Sequence, residues 1–278
     1  MRTRRIVIRT LQYIALAGFL LFLGFPFLWL ISTAFKSSSE LNSLAVNLVP
    51  SQPTLENFTD AFEAQGLVRA ALNSIIVSVA TTVIVVVISV PGAYVLARYR
   101  GKIRAMGSGW ILVSQIVPVA LFLLPLFFIL RTIGLIDSLA GLVLVYVVYT
   151  LPFSLWMLQG FVAAIPVDVE EAGATDGATK LQVLARIVFP LLRPGLVATA
   201  IFTFVAAYNE FFFALVLLQS PENFTLSVAL STFSNGEGLS RIGPLAAGAL
   251  IASIPSVVVF AILQRRLTGG LLAGAVKG

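Results

Sequence analysis

The chain has 278 residues, of which 59% are apolar and only 11% charged, and its mean hydropathy is +1.01. An average soluble domain is about 25% charged, so a soluble fold with this composition would leave large apolar areas against water. The composition points to a bilayer as solvent. The net charge is +6, and neither Cys nor His occurs. Disulfides, thiolate nucleophiles, the commonest metal ligand and the commonest general base are thereby excluded.

Six stretches between charges are long enough to span. A helix needs roughly 20 mainly apolar residues to cross the hydrocarbon core. The uncharged intervals Arg9–Lys36, Arg69–Arg98, Arg104–Arg131, Asp137–Asp168 and Arg241–Arg265 hold 26, 28, 26, 30 and 23 residues. The interval Arg193–Glu222 holds 28, broken only by Glu210. The expected spans are therefore about 10–35, 70–97, 106–130, 138–162, 195–218 and 243–264. The runs are too long for strands and lack period-2 alternation, so an all-α bundle is expected. The first stretch is too long for the core of a signal peptide and has no A-x-A site, and reads as a retained helix.

Orientation follows from the positive charges. With the N-terminus inside, 14 of the 18 Lys and Arg fall on cytoplasmic segments, leaving Lys36, Arg69, Arg131 and Arg241 outside. Positive charge gathers on the cytoplasmic side, so both termini are expected there, and the high pI needs no nucleic acid partner. Prolines Pro26, Pro91, Pro118, Pro125, Pro152 and Pro255 fall in the spans, where each can kink a helix.

Between spans, residues 54–66 carry Leu55, Phe58, Ala61 and Phe62 at helical spacing behind Thr54, a candidate cap. Residues 163–194 form a cytoplasmic segment too elaborate for a turn. Asp168 can cap a helix through Glu170 and Glu171, and Gly177 can end it. Thr179 can cap a second helix with Leu181, Leu184, Ile187 and Val188 on one face, stopped by Pro190 and Pro194. Residues 219–243 form an outer segment with loose alternation, and 265–278 an inner tail.

The segment 171–190 resembles the signature loop of permease subunits of bacterial ABC importers: E-A-A, three residues, G, nine residues, I-x-L-P. Glu171, Ala172 and Gly173 stand for E-A-A, Gly177 follows after three residues, Ile187 after nine more, and Pro190 closes it. Gly173 replaces the second Ala, and Phe189 replaces Leu. Nearly the whole chain is similar to the MalG-type subunit of carbohydrate importers. It shares Ala93–Tyr94–Val95–Leu96–Ala97–Arg98 at the end of the second span, Asn209–Glu210 in the fifth, and a terminal Gly274–Ala275–Val276–Lys277–Gly278.

The resemblance implies a type I importer permease fold with six transmembrane helices in a bacterial cell membrane. It also implies a second homologous permease, two ATP-binding subunits that carry ATP and Mg, and an extracytoplasmic sugar-binding protein, lipoprotein or periplasmic. Its loop, here Glu170, Glu171, Ala172, Gly173, Asp176, Gly177, Ile187 and Pro190, would couple to an ATPase subunit; Glu171, with Glu170 beside it, would pair with an Arg there or else mark a solvated helix N-terminus. The tail residues Gly274, Val276, Lys277 and Gly278 would dock between the ATPases.

The chain should bind no cofactor itself. At Gly101–Lys102, Leu96 stands where a P-loop needs Gly, and Ile103 follows the Lys. Glu210, the one acid inside a span, should face the bundle or a water-filled path, held by Asn209 or Tyr208 or lining the route. Ser114 and Gln115 are candidate partners for sugar hydroxyls. A secondary transporter would need repeats and more intramembrane charge, and an enzyme would need a catalytic set. The same architecture importing a glycerol phosphate or another polyol stays open. No Lys or Arg lies within an expected span, which leans towards a neutral sugar.

Overall fold

The computed structural model describes residues 2–43, 47–64, 66–99, 101–234 and 241–275. Among these, all regular structure is helical. The helices are α1 (Arg2–Ala34), α2 (Ser38–Leu41), α3 (Glu56–Ala64), α4 (Leu67–Arg98), α5 (Lys102–Ile116), α6 (Ala120–Thr132) and α7 (Leu139–Ala163). They continue with α8 (Val167–Thr175), α9 (Lys180–Val183), a π-helical turn Leu184–Val188, α10 (Phe189–Leu191), α11 (Arg193–Tyr208), α12 (Phe212–Leu217), α13 (Leu226–Ser234) and α14 (Ile242–Ala275).

Among the described residues, four helices are long and apolar enough to cross a bilayer unbroken: Ile6–Ala34, Leu67–Arg98, Leu139–Ala163 and Ile242–Ile262. Two further stretches pass the same test only as bent pairs. Arg104–Ile116 with Ala120–Thr132 bends by 106°, and Lys180–Leu191 with Arg193–Tyr208 by 75°. Counting each pair as one span gives six. Of the six prolines, Pro118 sits at the first break, while Pro26, Pro91, Pro125, Pro152 and Pro255 lie inside continuous helices. Pro118 lacks an N–H and disfavours helical backbone at the residue before it; Val117 is accordingly extended, with φ −73° and ψ 124°.

The chain divides into two compact units. The first comprises Met1–Leu67 and Ala229–Ser253. Its organiser is Asn57, 2% exposed, whose amide donates to the carbonyls of Ala34 (2.9 Å) and Lys36 (2.7 Å) and so ties α3 to the end of α1. Gly243 passes so close to Asn57 that a Cβ there would overlap its Oδ1. The buried face of α3 is Asn57 and Ala61, with the Phe58 ring tilted against Phe35 at 5.0 Å. Leu55 and Phe62, expected on that face, are exposed, because a buried hydrogen-bonded amide took the central place. Thr54 accepts from the Glu56 amide at 3.1 Å, as a cap would.

The second unit comprises Val68–Val228 and Ile254–Gly278. One cluster of buried residues gathers Val77, Leu142, Tyr146, Phe213 and Leu217 from α4, α7 and α12. Another gathers Val90, Ala93, Leu158, Val162, Val183 and Val188 from α4, α7 and the 180–192 segment. The expected loose alternation of 219–243 gives way to α13, and residues 235–240 lie outside the described residues.

Candidate functional site

The 163–194 segment is two short helices joined at a glycine. Pro166 precedes α8, and its fixed φ of −58° presets the helical entry, so Asp168 lies in the first turn and is not the cap. Acids at that end suit the helix dipole. At the other end Gly177 is left-handed, φ 84°. Its amide donates to Ala174 O (3.0 Å), and that of Ala178 to Gly173 O (3.1 Å), the paired bonds of a Schellman motif. Thr179 then begins α9 with a full capping box: its hydroxyl accepts from the Gln182 amide, and the Gln182 side chain accepts from the Thr179 amide.

Beyond α9 the backbone widens into the π turn Leu184–Val188. Pro190 has no N–H to offer the preceding turn, which accounts for the loosened ladder. The extra residue rotates the face: Val183, Leu184, Ile187 and Val188 pack inward, while Leu181, expected among them, is 73% exposed. Ile187 lies against buried Gly173, where a Cβ would overlap its Cδ1. Two positions of the signature are thus in contact.

The adjacent acids part company. Glu171 is exposed. Glu170 is 8% exposed and turns into the bundle, accepting from Tyr94 Oη (2.8 Å) and Arg98 Nε (2.7 Å) at the base of α4. Arg98 also donates through Nη2 to the Ile165 carbonyl at 2.7 Å. This is the one salt bridge found among the described residues. Truncating one partner of a buried pair leaves an uncompensated charge, at a cost of about 3–5 kcal/mol. Asp176 is the C-cap residue of α8, Ala172 and Gly177 are exposed, and Pro190 is the second residue of α10.

A cavity of about 340 Å³ lies at the 106° break. Ser114 and Gln115 line it, together with Trp110, Tyr149, Phe153 and Phe202. Thr150, also lining it, stands near the middle of α7, so the cavity is at mid-span depth. No charged residue is among those lining it. The Ser114 hydroxyl donates to Ile111 O at 2.7 Å, and Gln115 is exposed. The aromatic walls were not anticipated; Trp110 one helical turn before Ser114 was the available signal.

Asn209 and Glu210 are not among the lining residues. They stand at the gap between α11 and α12, where Asn209 donates to Val205 O at 2.9 Å. The Glu210 carboxylate accepts from the amides of Phe213 (3.0 and 3.1 Å) and Ala214 (3.3 Å), satisfying the first turn of α12. Tyr146 Oη donates to the Glu210 carbonyl at 3.4 Å. The expected side-chain partners, Asn209 or Tyr208, are replaced by backbone.

On the other face of the unit, Asp137 makes a clip that sequence reading missed. It is left-handed, φ 52°. Its carboxylate accepts from the amides of Gln219 (2.9 Å) and Ser220 (3.0 Å) and from the Ser220 hydroxyl, and its carbonyl accepts from Asn223 at 2.7 Å. Burial pushes this carboxyl up, but the Ser220 hydroxyl, the two amides and Asn223 outweigh it and hold the pKa at about 2. Asn73 and Ser74 of α4 anchor the same connection through Glu222 O, Phe224 O and the Leu226 amide. Val276, Lys277 and Gly278 of the tail lie outside the described residues, and Gly274 falls in the last turn of α14.

Residues 89–271 match the family described as the binding-protein-dependent transport system inner membrane component. The chain is 37% identical to the diacetylchitobiose uptake system permease protein DasC of Streptomyces coelicolor over 260 residues, 93% of this chain and 94% of that one. It is 37% identical to the trehalose transport system permease protein SugB of Mycobacterium tuberculosis over 254 residues, 91% and 92% of the two chains. Its fold superposes with TM-score 0.80 on a chain of a bacterial ABC transporter involved in the import of the acidic polysaccharide alginate, at 22% identity, covering 95% of this chain and 98% of that one. The chain belongs to the inner membrane components of binding-protein-dependent transport systems, the multi-pass permease subunits of ABC importers, with the type I importer permease fold.

Proposed function

We propose that the cargo is a neutral sugar of disaccharide size, and that this permease contributes to its path through Ser114 and Gln115. The observation that carries the reading is the cavity at the broken third span. Its volume of about 340 Å³ suits a small ligand. Aromatic faces, one amide and the hydroxyls of Ser114, Tyr149 and Thr150 are the chemistry that holds sugar rings and their hydroxyls, and the lack of charge there speaks against a phosphate. An exposed amide such as Gln115 at mid-span is costly against lipid and suits a water-filled path. The sugar names of the relatives agree.

In this reading the chain pairs with a second, homologous permease, and two ATP-binding subunits hold ATP and Mg. Both termini are cytoplasmic, as the charge asymmetry implies. The segment 163–194 couples to an ATPase subunit through exposed Glu171, Gly177 sets the bend, and the outer segment 219–243 meets an extracytoplasmic binding protein. The tail, with Val276, Lys277 and Gly278, docks between the ATPases.

The test is purification from native membranes by a tag on this chain, then ATP hydrolysis measured with the binding protein and a panel of neutral disaccharides and glycerol phosphates. Recovery of a second permease and an ATPase, stimulated by a disaccharide, is expected, with Gln115→Leu weakening that stimulation at unchanged assembly. Stimulation by glycerol phosphate alone would overturn the cargo. A chain that purifies alone and transports without ATP would overturn the whole reading.

A further inference from the structure

The chain runs from α8 through α9, the π turn and α10 into α11, yet this covalent path is poorly built to carry a push. It contains a left-handed glycine, a loosened π turn and a 75° bend before Arg193. A second path is short and buried. Glu170 in the first turn of α8 is held by Tyr94 and Arg98, one turn apart at the base of α4. The same guanidinium grips Ile165 O, just past the end of α7. Around this node Val90 and Ala93 of α4, Val162 of α7, and Val183 and Val188 of the loop share one buried cluster. Charge-assisted bonds shielded from water are short and directional, and packed apolar clusters transmit displacement with little give.

We propose that the Tyr94–Arg98–Glu170 clasp joins α8 to the inner ends of α4 and α7 as one rigid body, so that motion imposed on the loop enters the bundle through α4 and α7, bypassing the chain path into α11. Glu170 and Arg98 are positioning residues here, and exposed Glu171 faces the partner. The inference depends on the loop being the coupling element.

This chain has no cysteine, so each label on it sits only at an introduced position, with any cysteines of the partner subunits replaced beforehand. The experiment uses the whole complex with two label pairs at exposed positions. The first pair, Val87→Cys with Thr175→Cys, reports the clasp; Val87 lies 11 residues, about 16 Å, up α4 from Arg98. The second, Thr132→Cys with Thr175→Cys, reports movement of the loop against the far end of the bent third span. Distances are measured by pulsed electron resonance with and without ATP and vanadate; no cargo is added, so the sugar reading is not at stake. In the parent the second distance is expected to change by several ångström while the first stays fixed. In Glu170→Gln the first is expected to shift or broaden on ATP. Tyr94→Phe, which removes a single hydroxyl, does the same to a lesser degree and serves if Glu170→Gln fails to assemble. A first distance that changes with ATP in the parent overturns the rigid clasp, as does one equally fixed in the assembled variants. A second distance indifferent to ATP overturns the coupling role on which the clasp depends.

Discussion

Asp137→Asn isolates what the charge of the clip contributes. Asparagine tolerates the left-handed backbone about as well as aspartate, so the φ of 52° adds little to the cost. The substitution removes the formal charge, and its NH2 cannot accept the Ser220 hydroxyl. The carboxyl is held at about 2 against 3.8 when free. At 1.36 kcal/mol per unit that difference is about 2.4 kcal/mol, reduced to about 2 for a partly exposed group. Local opening of the connection after α12 should then be about 30-fold more frequent. Hydrogen exchange of the Gln219 and Ser220 amides, followed by mass spectrometry in nanodiscs, reads this directly. Exchange in the variant within twofold of the parent would show that the carboxylate does not hold this connection closed, and the electrostatic reasoning would fail.

A carboxyl depressed by folding stabilises fully above its free value and loses the effect as pH falls through its folded one. The clip should therefore be indifferent to pH between about 5 and 8 and loosen only from about 4 towards 2, as exchange corrected for intrinsic rates will show. A Cβ at Gly177 meets no atom within 4 Å, so Gly177→Val acts through the backbone, forcing a β-branched residue to φ 84° at about 1–2 kcal/mol or more. The complex should assemble and hydrolyse ATP while uptake is lost, and unchanged uptake in membranes would refute the required bend. Glu210→Gln keeps an acceptor for the α12 amides and should retain uptake. Glu210→Ala removes the cap, at about 1 kcal/mol, and should lower the melting temperature of the complex; lost uptake in a stable Glu210→Gln complex would instead indicate a need for the charge.

Local chemistry was the most legible layer. Gly177 and Thr179 could be assigned because a helix stop and a helix start are written in two or three neighbouring residues, and both behave as expected. Orientation around a helix was less so. Glu170 and Glu171 are about 100° apart on one turn, and only Arg98, distant in the chain, decides which turns inward. The A-Y-x-x-A-R run held that clue, since an Arg at a span end invites an acid. The π turn defeated a 3.6-residue reading and sent Leu181 outward. The bent third span was hidden among six prolines of equal standing, because only packing decides which proline breaks a helix. Asp137 served as a span boundary in the sequence, while its function depends on Gln219, Ser220 and Asn223, more than eighty residues on.

The contact between Gly173 and Ile187 has a consequence for building chimaeras. Fourteen residues apart, the two fill a single volume, so neither is an independent choice. Alanine at 173, as in the general signature, requires the Ile187 side chain to swing aside or a slimmer residue in its place. A loop exchanged whole between related permeases brings both halves of the fit. One spliced between these positions joins two surfaces that were never matched, however faithfully each half follows the signature.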